Sequence, residues 1–185
     1  LLYQIVEEQG ELLIHGVAIK PGKPFIFGIF DEKPIFGLPG YPTSALITFN
    51  IFVSPIIREM AGYPPSERKK IKAKTSVRIY SARGRREYLP INLISGKDGY
   101  GVYPILSGSG AITTFSSADG YVEIPENVEI LEEGTEVDVE LLSESVKPAD
   151  LCIIGSHCIG IDLILEMMME KKRIKAKIMN VGSIA

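Results

Sequence analysis

Three patterns of apolar and polar positions follow one another along the chain, and each predicts a different kind of structure. In residues 1–65, apolar strand segments precede a stretch after Pro42 in which apolar residues recur every three to four positions, as in a helix. Residues 66–146 alternate apolar and polar positions in short runs separated by glycines, which is typical of a small barrel or sandwich. Residues 147–185 give strand, helix and strand, which predicts a parallel βαβ unit. The expected fold is an α/β segment followed by a small all-β barrel domain, and then the beginning of a second α/β (βαβ) domain.

Local signals place the shorter elements. Residues 1–8 are expected to end a helix that Gly10 stops. Residues 25–30 and 34–37 are expected to pair across the turn at residues 31–32. Further strands are predicted over residues 12–19, 71–80, 88–94, 100–106, 121–124 and 136–142.

Two prolines bear on the helix predicted after the turn at residues 38–42. Pro42 suits the first helical turn, where a missing backbone N–H costs nothing. Pro55 lies within the same apolar pattern and should kink or shorten the helix, because it removes an internal hydrogen bond. In the third pattern, a helix over residues 158–171 is expected between strands over residues 151–154 and 173–179.

Composition excludes several classes of protein. With 45% apolar residues among 185 and a formal net charge of −3, the chain is globular rather than disordered or fibrous. No apolar run approaches the roughly 18 residues of a membrane-spanning helix, so no membrane partner is expected. Two cysteines are too few for a disulfide scaffold, which indicates a reducing compartment. No metal site is predicted, because Cys152, His157 and Cys158 lack the spacing of a zinc site.

The small net charge conceals a strong asymmetry along the chain. Residues 66–98 carry ten basic and three acidic side chains, whereas residues 99–147 carry one basic and ten acidic side chains. In both stretches the charged residues alternate with apolar ones, as on a half-buried strand. The basic stretch is therefore interpreted as a solvated strand face, with a small anion as the alternative for part of it, and no nucleic-acid partner is expected.

Five loops carry residues suited to an anion. A lysine turn, KPGKP, occupies residues 20–24; a Gly/Pro turn precedes a helix at residues 37–44; and paired arginines lie at residues 84–88. Small residues fill 107–114, and a strand-to-helix turn lies at 155–158. Each has an ordinary explanation as a surface turn, a helix cap, a hairpin or a connector. Their combination in an acidic protein nevertheless points to an anionic ligand.

The sequences at residues 16–24 and 37–45 together resemble the molybdopterin molybdenumtransferases, the MoeA-type molybdenum insertases related to the gephyrin E domain. The resemblance covers about residues 1–143. Its weaker segments are residues 84–88, 107–121 and 131–137. It implies that residues 1–65 are the C-terminal part of a molybdopterin-binding α/β domain and that residues 66–146 are the family's C-terminal β-barrel domain.

The resemblance also implies a function. The family is cytoplasmic, forms homodimers, depends on Mg²⁺, and inserts molybdate, or tungstate in some organisms, into adenylylated molybdopterin with release of AMP. Its Mg²⁺ ligands are expected outside these 185 residues, and its substrates, molybdate and molybdopterin-AMP, are small molecules. The alternative is a non-catalytic oxyanion-binding or scaffold protein.

Site residues carry over by position. Lys20 and Lys23 correspond to the two family lysines and Ser44 to the serine of the Pro-Gly-x-Pro-x-Ser motif, and these three are the expected catalytic residues. Arg85 is the alternative to Arg86 as the barrel arginine, and the serines of residues 107–109 are alternatives to one another. The implied substrate-binding residues are Pro39, Pro42, Arg86 and Ser109.

Residues 147–185 fall outside that family and resemble the start of a type II periplasmic-binding-protein-like domain. Such domains bind small ligands, including oxyanions, at strand-to-helix turns. Because the chain begins and ends within recognisable patterns, we expect it to be an excerpt of a longer protein. Fusion of an insertase to an oxyanion-binding domain would be chemically coherent, since one part would supply what the other inserts.

Overall fold

Three groups of secondary-structure elements follow one another in the computed structural model of the chain. The first is an α/β segment, the second is a closed β-barrel, and the third is a βαβ unit. The expected fold class is thus confirmed for the segment and the barrel, and the third group is consistent with it. The structure describes residues 2–65, 68–96, 99–105, 118–143, 146, 148–156, 158–172 and 174–180.

The first group is a three-stranded antiparallel sheet with one helix beside it. Its elements are α1 (Leu2–Gln9), β1 (Glu11–His15), β3 (Ile26–Phe30) and β4 (Lys33–Gly37), and the strand order is β1-β3-β4. The predicted pairing across residues 31–32 is confirmed. The predicted strand over residues 12–19 is wrong as one element, because Gly16, at φ 90°, turns the chain after β1. The short β2 (Ile19–Lys20) then joins a different sheet.

The helix after Pro42 is interrupted rather than simply kinked. Helix α2 (Pro42–Thr48) passes into a π-helical segment (Phe49–Val53) and then into α3 (Ser54–Met60). The N–H of Ser54 donates to the carbonyl of Phe49, five residues earlier. Pro55 therefore lies in the first turn of α3, where its missing N–H leaves no hydrogen bond broken.

The barrel closes because one long strand pairs on both sides. The first half of β7 (Arg86–Gly96) pairs with β9 (Gly120–Ile124), and its second half pairs with β8 (Gly99–Pro104). Strands β5 (Lys70–Thr75) and β11 (Glu136–Leu141) complete the closed order β7-β8-β5-β11-β9. The side chains inside are apolar and fully buried: Ile91, Leu93, Val102, Val122, Ile124 and Val139.

One predicted barrel strand divides into two. Residues 71–80 were expected to form a single strand, but β5 ends at Thr75 and β6 (Ile79–Tyr80) pairs separately with β10 (Ile130–Leu131). Thr75 is the last residue of β5 and lies opposite Val102 of β8, and its hydroxyl donates to the carbonyl of Glu132 at 2.6 Å. This side-chain bond lies at the point where the strand ends.

The first group is joined to the barrel by a strand pairing and an apolar cluster. Strand β2 pairs in parallel with β7, with Lys20 opposite Glu87. Beside this pairing the buried side chains of Ile19, Ile47, Tyr88 and Tyr121 form one cluster. The junction therefore combines backbone hydrogen bonds with apolar burial.

The third group packs on the outside of the barrel. Strands β12 (Leu151–Gly155) and β13 (Ala176–Asn180) pair in parallel, and α4 (Ile159–Lys172) lies between them in the sequence. This confirms the predicted βαβ order. Lys177 Nζ lies 2.6 Å from the buried carboxylate of Asp119, which also accepts the N–H of Leu93 at 2.8 Å. A charged contact thus ties the third group to the barrel wall.

Close approach of two barrel strands predicts the effect of substituting Gly120. A Cβ there would lie 2.5 Å from the carbonyl oxygen of Glu140, a backbone atom that cannot move away cheaply. Gly120→Ala should therefore lower the free energy of unfolding by about 1–3 kcal/mol in urea denaturation. Gly96→Ala is the matched control in the same barrel, because its Cβ would meet the carbonyl of Gly99 at an ordinary 3.4 Å. Equal stability of Gly120→Ala and Gly96→Ala would contradict the close approach of the strands at Gly120 and Glu140.

Tyr121 predicts a dependence of stability on pH. Burial, and then the hydrogen bond and the negative charge of Glu140, raise the pKa of Tyr121 above its ordinary value of 10.0. The folded protein then keeps a proton that the unfolded chain loses, so this contribution to stability is present below pH 10 and is lost as the pH rises above it. Urea denaturation between pH 8 and 11 should show a steeper loss of stability for the native protein than for Tyr121→Phe. Parallel curves would show that the phenol does not titrate differently on folding.

Candidate functional site

A cavity of about 850 Å³ lies where the first group meets the barrel. Three segments contribute to its lining: residues 19–24, residues 39–41, 43 and 44 around the start of α2, and residues 85 and 87–90 around the start of β7. The lysine turn, the Gly/Pro turn and the arginine turn, which were proposed separately as anion-binding features, therefore face one space. Tertiary structure brings them together, because more than 60 residues separate the first from the last.

The lysine turn places two cations at this cavity. Lys20 ends β2 and is half-buried, whereas Lys23 is exposed. Gly22, between them, has φ 126°, and a Cβ there would lie 2.6 Å from the methyl group of Thr48. The turn therefore requires glycine both for its conformation and for its close contact with α2. This packing holds the backbone that carries both lysines.

The turn before α2 contributes proline and hydroxyl groups. Pro39 and Ser44, which are both predicted site residues, line the cavity and are buried. Pro42, also a predicted site residue, lies in the first turn of α2. Thr43 also lines the cavity, and its buried Oγ1 has no hydrogen-bond partner among the described residues. An unpaired buried hydroxyl is unfavourable, so this atom is available to a ligand that supplies the partner.

The two neighbouring arginines point to different surroundings. Arg85 lines the cavity and has no ion-pair partner within the described ranges. Arg86 is exposed, and its guanidinium pairs with Glu123 at 3.1 Å and with Glu126 at 3.2 Å. Those carboxylates raise the pKa of Arg86, and the hydrogen bond that its Nε donates to Glu126 is the main cause. Of the two arginines, the structure therefore places Arg85, and not the expected Arg86, at the cavity wall.

A buried carboxylate completes the charged wall of the cavity. Glu87 Oε1 lies 2.9 Å from Lys20 Nζ, and Ser81 Oγ donates to Oε2 at 2.7 Å. Sequence reasoning missed Glu87, because a carboxylate between an arginine and a tyrosine looks like an ordinary strand residue. Only its burial and its pairing with a lysine 67 positions earlier distinguish it. With Lys20, Lys23 and Arg85, it leaves the cavity with an excess of two positive charges.

Two other expectations concern the serine loop and the metal. Ser109 lies outside the described residues. Among the residues that the structure describes, no group of three or more His, Cys, Asp and Glu side chains could hold a metal ion. The described residues therefore do not fit a Mg²⁺ site. None of the helices within the described ranges has both the length and the apolar character needed to cross a membrane.

Two family models match the chain in the order of its first two groups. Residues 1–59 match the model described as "Probable molybdopterin binding domain". Residues 72–142 match the model described as "MoeA C-terminal region (domain IV)". The first match contains the lysine turn and the turn before α2, and the second contains the arginine turn. The cavity thus lies between the parts of the chain that these models describe.

Curated relatives extend the same similarity. A putative molybdopterin biosynthesis protein of Methanocaldococcus jannaschii is 39% identical over 140 residues, which cover 75% of this chain and 32% of that protein. Molybdopterin molybdenumtransferase 1 of Mycobacterium tuberculosis is 33% identical over 149 residues, which cover 76% of this chain and 35% of that protein. The chain therefore spans about a third of the length of these relatives.

Solved structures share both the sequence and the fold. Two crystal structures, each described as a molybdopterin biosynthesis MoeA protein from Pyrococcus horikoshii, match with TM-scores of 0.65 and 0.57 and with identities of 46% and 35%. The matches cover 76% and 70% of this chain, and 34% and 32% of theirs.

Proposed function

The part of the chain up to residue 142 belongs to the MoeA family of molybdopterin biosynthesis proteins, and from this premise we propose that the protein inserts molybdate, or tungstate, into adenylylated molybdopterin with release of AMP. The observation that carries the proposal is the cavity to which Lys20, Lys23 and Arg85 contribute in a protein with a sequence pI of about 5.5. The proposal also includes a cytoplasmic homodimer, as the family resemblance implies.

The chemistry of the substrate explains why such a cavity suits it. Molybdate is a tetrahedral dianion, and insertion into a dithiolene requires the loss of oxo groups. Cations placed around the anion stabilise the charge that develops on departing oxygen, and they do so most effectively when they are fixed in advance. An excess of two positive charges matches a dianion, so binding needs no further counter-ion from solvent.

Each residue has a distinct part in the proposal. Lys20 and Lys23 neutralise charge on the oxyanion or on the phosphate, as compact ammonium groups with three donors each. Arg85 presents paired N–H groups, which suit two oxygens of one oxyanion. Ser44 supplies a hydroxyl for hydrogen bonding at the turn before α2, where Pro39 shapes the wall. These residues bind and orient the substrate; none of them is assigned as a general base.

Substitution of Lys23 tests the role of the lysine turn. Lys23→Met removes one charge at the cavity and keeps most of the side-chain length. A charge-assisted hydrogen bond contributes roughly 1.5–3 kcal/mol, so molybdate affinity or the insertion rate in the complete protein should fall about 10- to 150-fold. Lys33→Met is the matched control, because Lys33 is exposed at the start of β4, next to the turn from β3. Unchanged insertion by Lys23→Met would make residues 20–24 an ordinary surface turn.

Substitution of the two arginines tests which of them binds molybdate. Arg85→Lys keeps the charge but loses the paired donors, so insertion at low molybdate should be impaired, and the defect should shrink as molybdate is raised. Arg86→Lys is the internal control and should insert normally, since its guanidinium is held by two exposed carboxylates. Both variants should lose less than about 0.5 kcal/mol of stability.

The insertion rate of each variant is measured against molybdate concentration. A defect confined to Arg85→Lys supports the assignment made here. A defect confined to Arg86→Lys would restore the expectation from sequence. If both variants bind and insert molybdate normally, the two arginines belong to a solvated turn with no role in binding. If the native protein binds molybdate but does not insert it, a non-catalytic oxyanion-binding protein is favoured instead.

A further inference from the structure

Glu87 is a buried carboxylate in the cavity wall to which no sequence motif assigns a role. It is 5% exposed, and both of its oxygens have a partner. Lys20 Nζ lies 2.9 Å from Oε1, and Ser81 Oγ donates to Oε2 at 2.7 Å. Because both oxygens are engaged, the carboxylate has a defined orientation, and that orientation determines where the Lys20 ammonium lies.

The contact joins three separate parts of the chain. Lys20 is on β2, Glu87 is opposite it on the parallel strand β7, and Ser81 follows β6. Residues directly opposite one another in a ladder extend to the same face of the sheet. The register is fixed next to them by the N–H of Arg86, which donates to the carbonyl of Ala18 at 3.0 Å. The backbone therefore sets the geometry of the Lys20–Glu87 pair before any ligand binds.

A lysine side chain held in this way is prepared for an anion. A free lysine samples many rotamers, and ordering it on binding reduces affinity. One N–H of the Lys20 ammonium points to Glu87, which leaves two for a ligand in the cavity. Its side chain is 42% exposed, so these donors remain reachable.

The negative charge of Glu87 opposes the binding of an anion, whereas its hold on Lys20 favours it. A carboxylate beside an anion site repels the anion, and burial makes it costly to keep ionised. If charge alone mattered, removing it would tighten the binding of an oxyanion. If the orientation of Lys20 matters more, removing it would weaken binding. The two effects differ in sign, so one substitution separates them.

We propose that Glu87 is a positioning residue that holds the Lys20 ammonium in the orientation in which it binds the oxyanion; this inference rests on the proposed function. The arrangement is costly for anion binding. Lys20 could pair with an anion without Glu87, and the carboxylate opposes that anion. Its burial and its two fixed partners are explained by the control that it exerts on Lys20.

The direct test is Glu87→Gln in the complete protein, with molybdate as the probe. Glutamine keeps the shape but replaces the carboxylate by a neutral amide, so the ion pair that orients the ammonium is lost and only a weaker hydrogen bond can remain. Molybdate affinity measured by calorimetry should fall about 10- to 100-fold, as expected for a displaced binding group. KM for molybdate should rise, with kcat at saturating molybdate largely retained. Equal or tighter molybdate binding by this variant would overturn the proposal.

A double-substitution cycle tests whether Glu87 acts through Lys20. In a Lys20→Met background, Glu87→Gln should cause no further loss of molybdate affinity, because there is no ammonium left to position. An equal loss in both backgrounds would overturn the proposal. Glu136→Gln is the matched control: it disrupts an exposed Lys72–Glu136 pair of 2.6 Å on the barrel surface and should leave molybdate affinity unchanged.

The outcomes separate this inference from the function on which it rests. If the native protein binds no molybdate, or if Lys20→Met does not weaken binding, both fail. If Lys20→Met weakens binding and Glu87→Gln does not, only the positioning role fails. Thermal unfolding shows whether Glu87→Gln folds. If Glu87→Gln does not fold, Ser81→Ala is the deciding variant, because it removes the partner of Glu87 Oε2 and keeps the carboxylate charge. Weaker molybdate binding by Ser81→Ala supports the proposal, and unchanged binding overturns it.

Discussion

The parallel pairing of β2 with β7 is the contact on which the site depends. It consists of only two register pairs, Ile19 with Arg86 and Lys20 with Glu87. Through it the turn that carries two lysines is placed against the turn that carries two arginines, although the first group and the barrel each have their own hydrogen-bonded sheet. So short a ladder is stable only because the apolar cluster around Tyr88 and Tyr121 buries the junction beside it.

Charged side chains on the barrel surface are neutralised by nearby partners, whereas the cavity keeps an excess of positive charge. The basic and acidic stretches of the sequence meet across the barrel, where surface pairs form at Lys72–Glu136 and Arg78–Glu132. Arg86 joins this surface network through Glu126. Such exposed pairs contribute little stability, but they remove competing positive charge. Arg85, which has no ion-pair partner among the described residues, and the lysine turn then leave positive charge at the cavity.

The third group is connected to the barrel by a contact of another kind. Asp119 is buried, and its carboxylate accepts a backbone N–H from β7 as well as a lysine ammonium from β13. A buried charge of this kind is costly when one partner is removed, so the docking of the βαβ unit and the local structure of the barrel wall depend on each other. Residues that follow the match to the MoeA C-terminal region are thereby part of one continuous structure with it.

The sequence by itself determined most elements and the chemical character of the site. Period-two alternation predicted the barrel strands, turn residues predicted the hairpin at residues 31–32, and motif spacing identified the lysine and arginine turns, since these signals are local. Pro55 also predicted that the helix would be disturbed near it. Tertiary structure alone decided the π-helical form of that disturbance, the division of two predicted strands, and which of the two arginines lines the cavity. It also decided the role of Glu87, because a carboxylate acquires that role only from burial and from a lysine that the fold brings to it across 67 residues of chain.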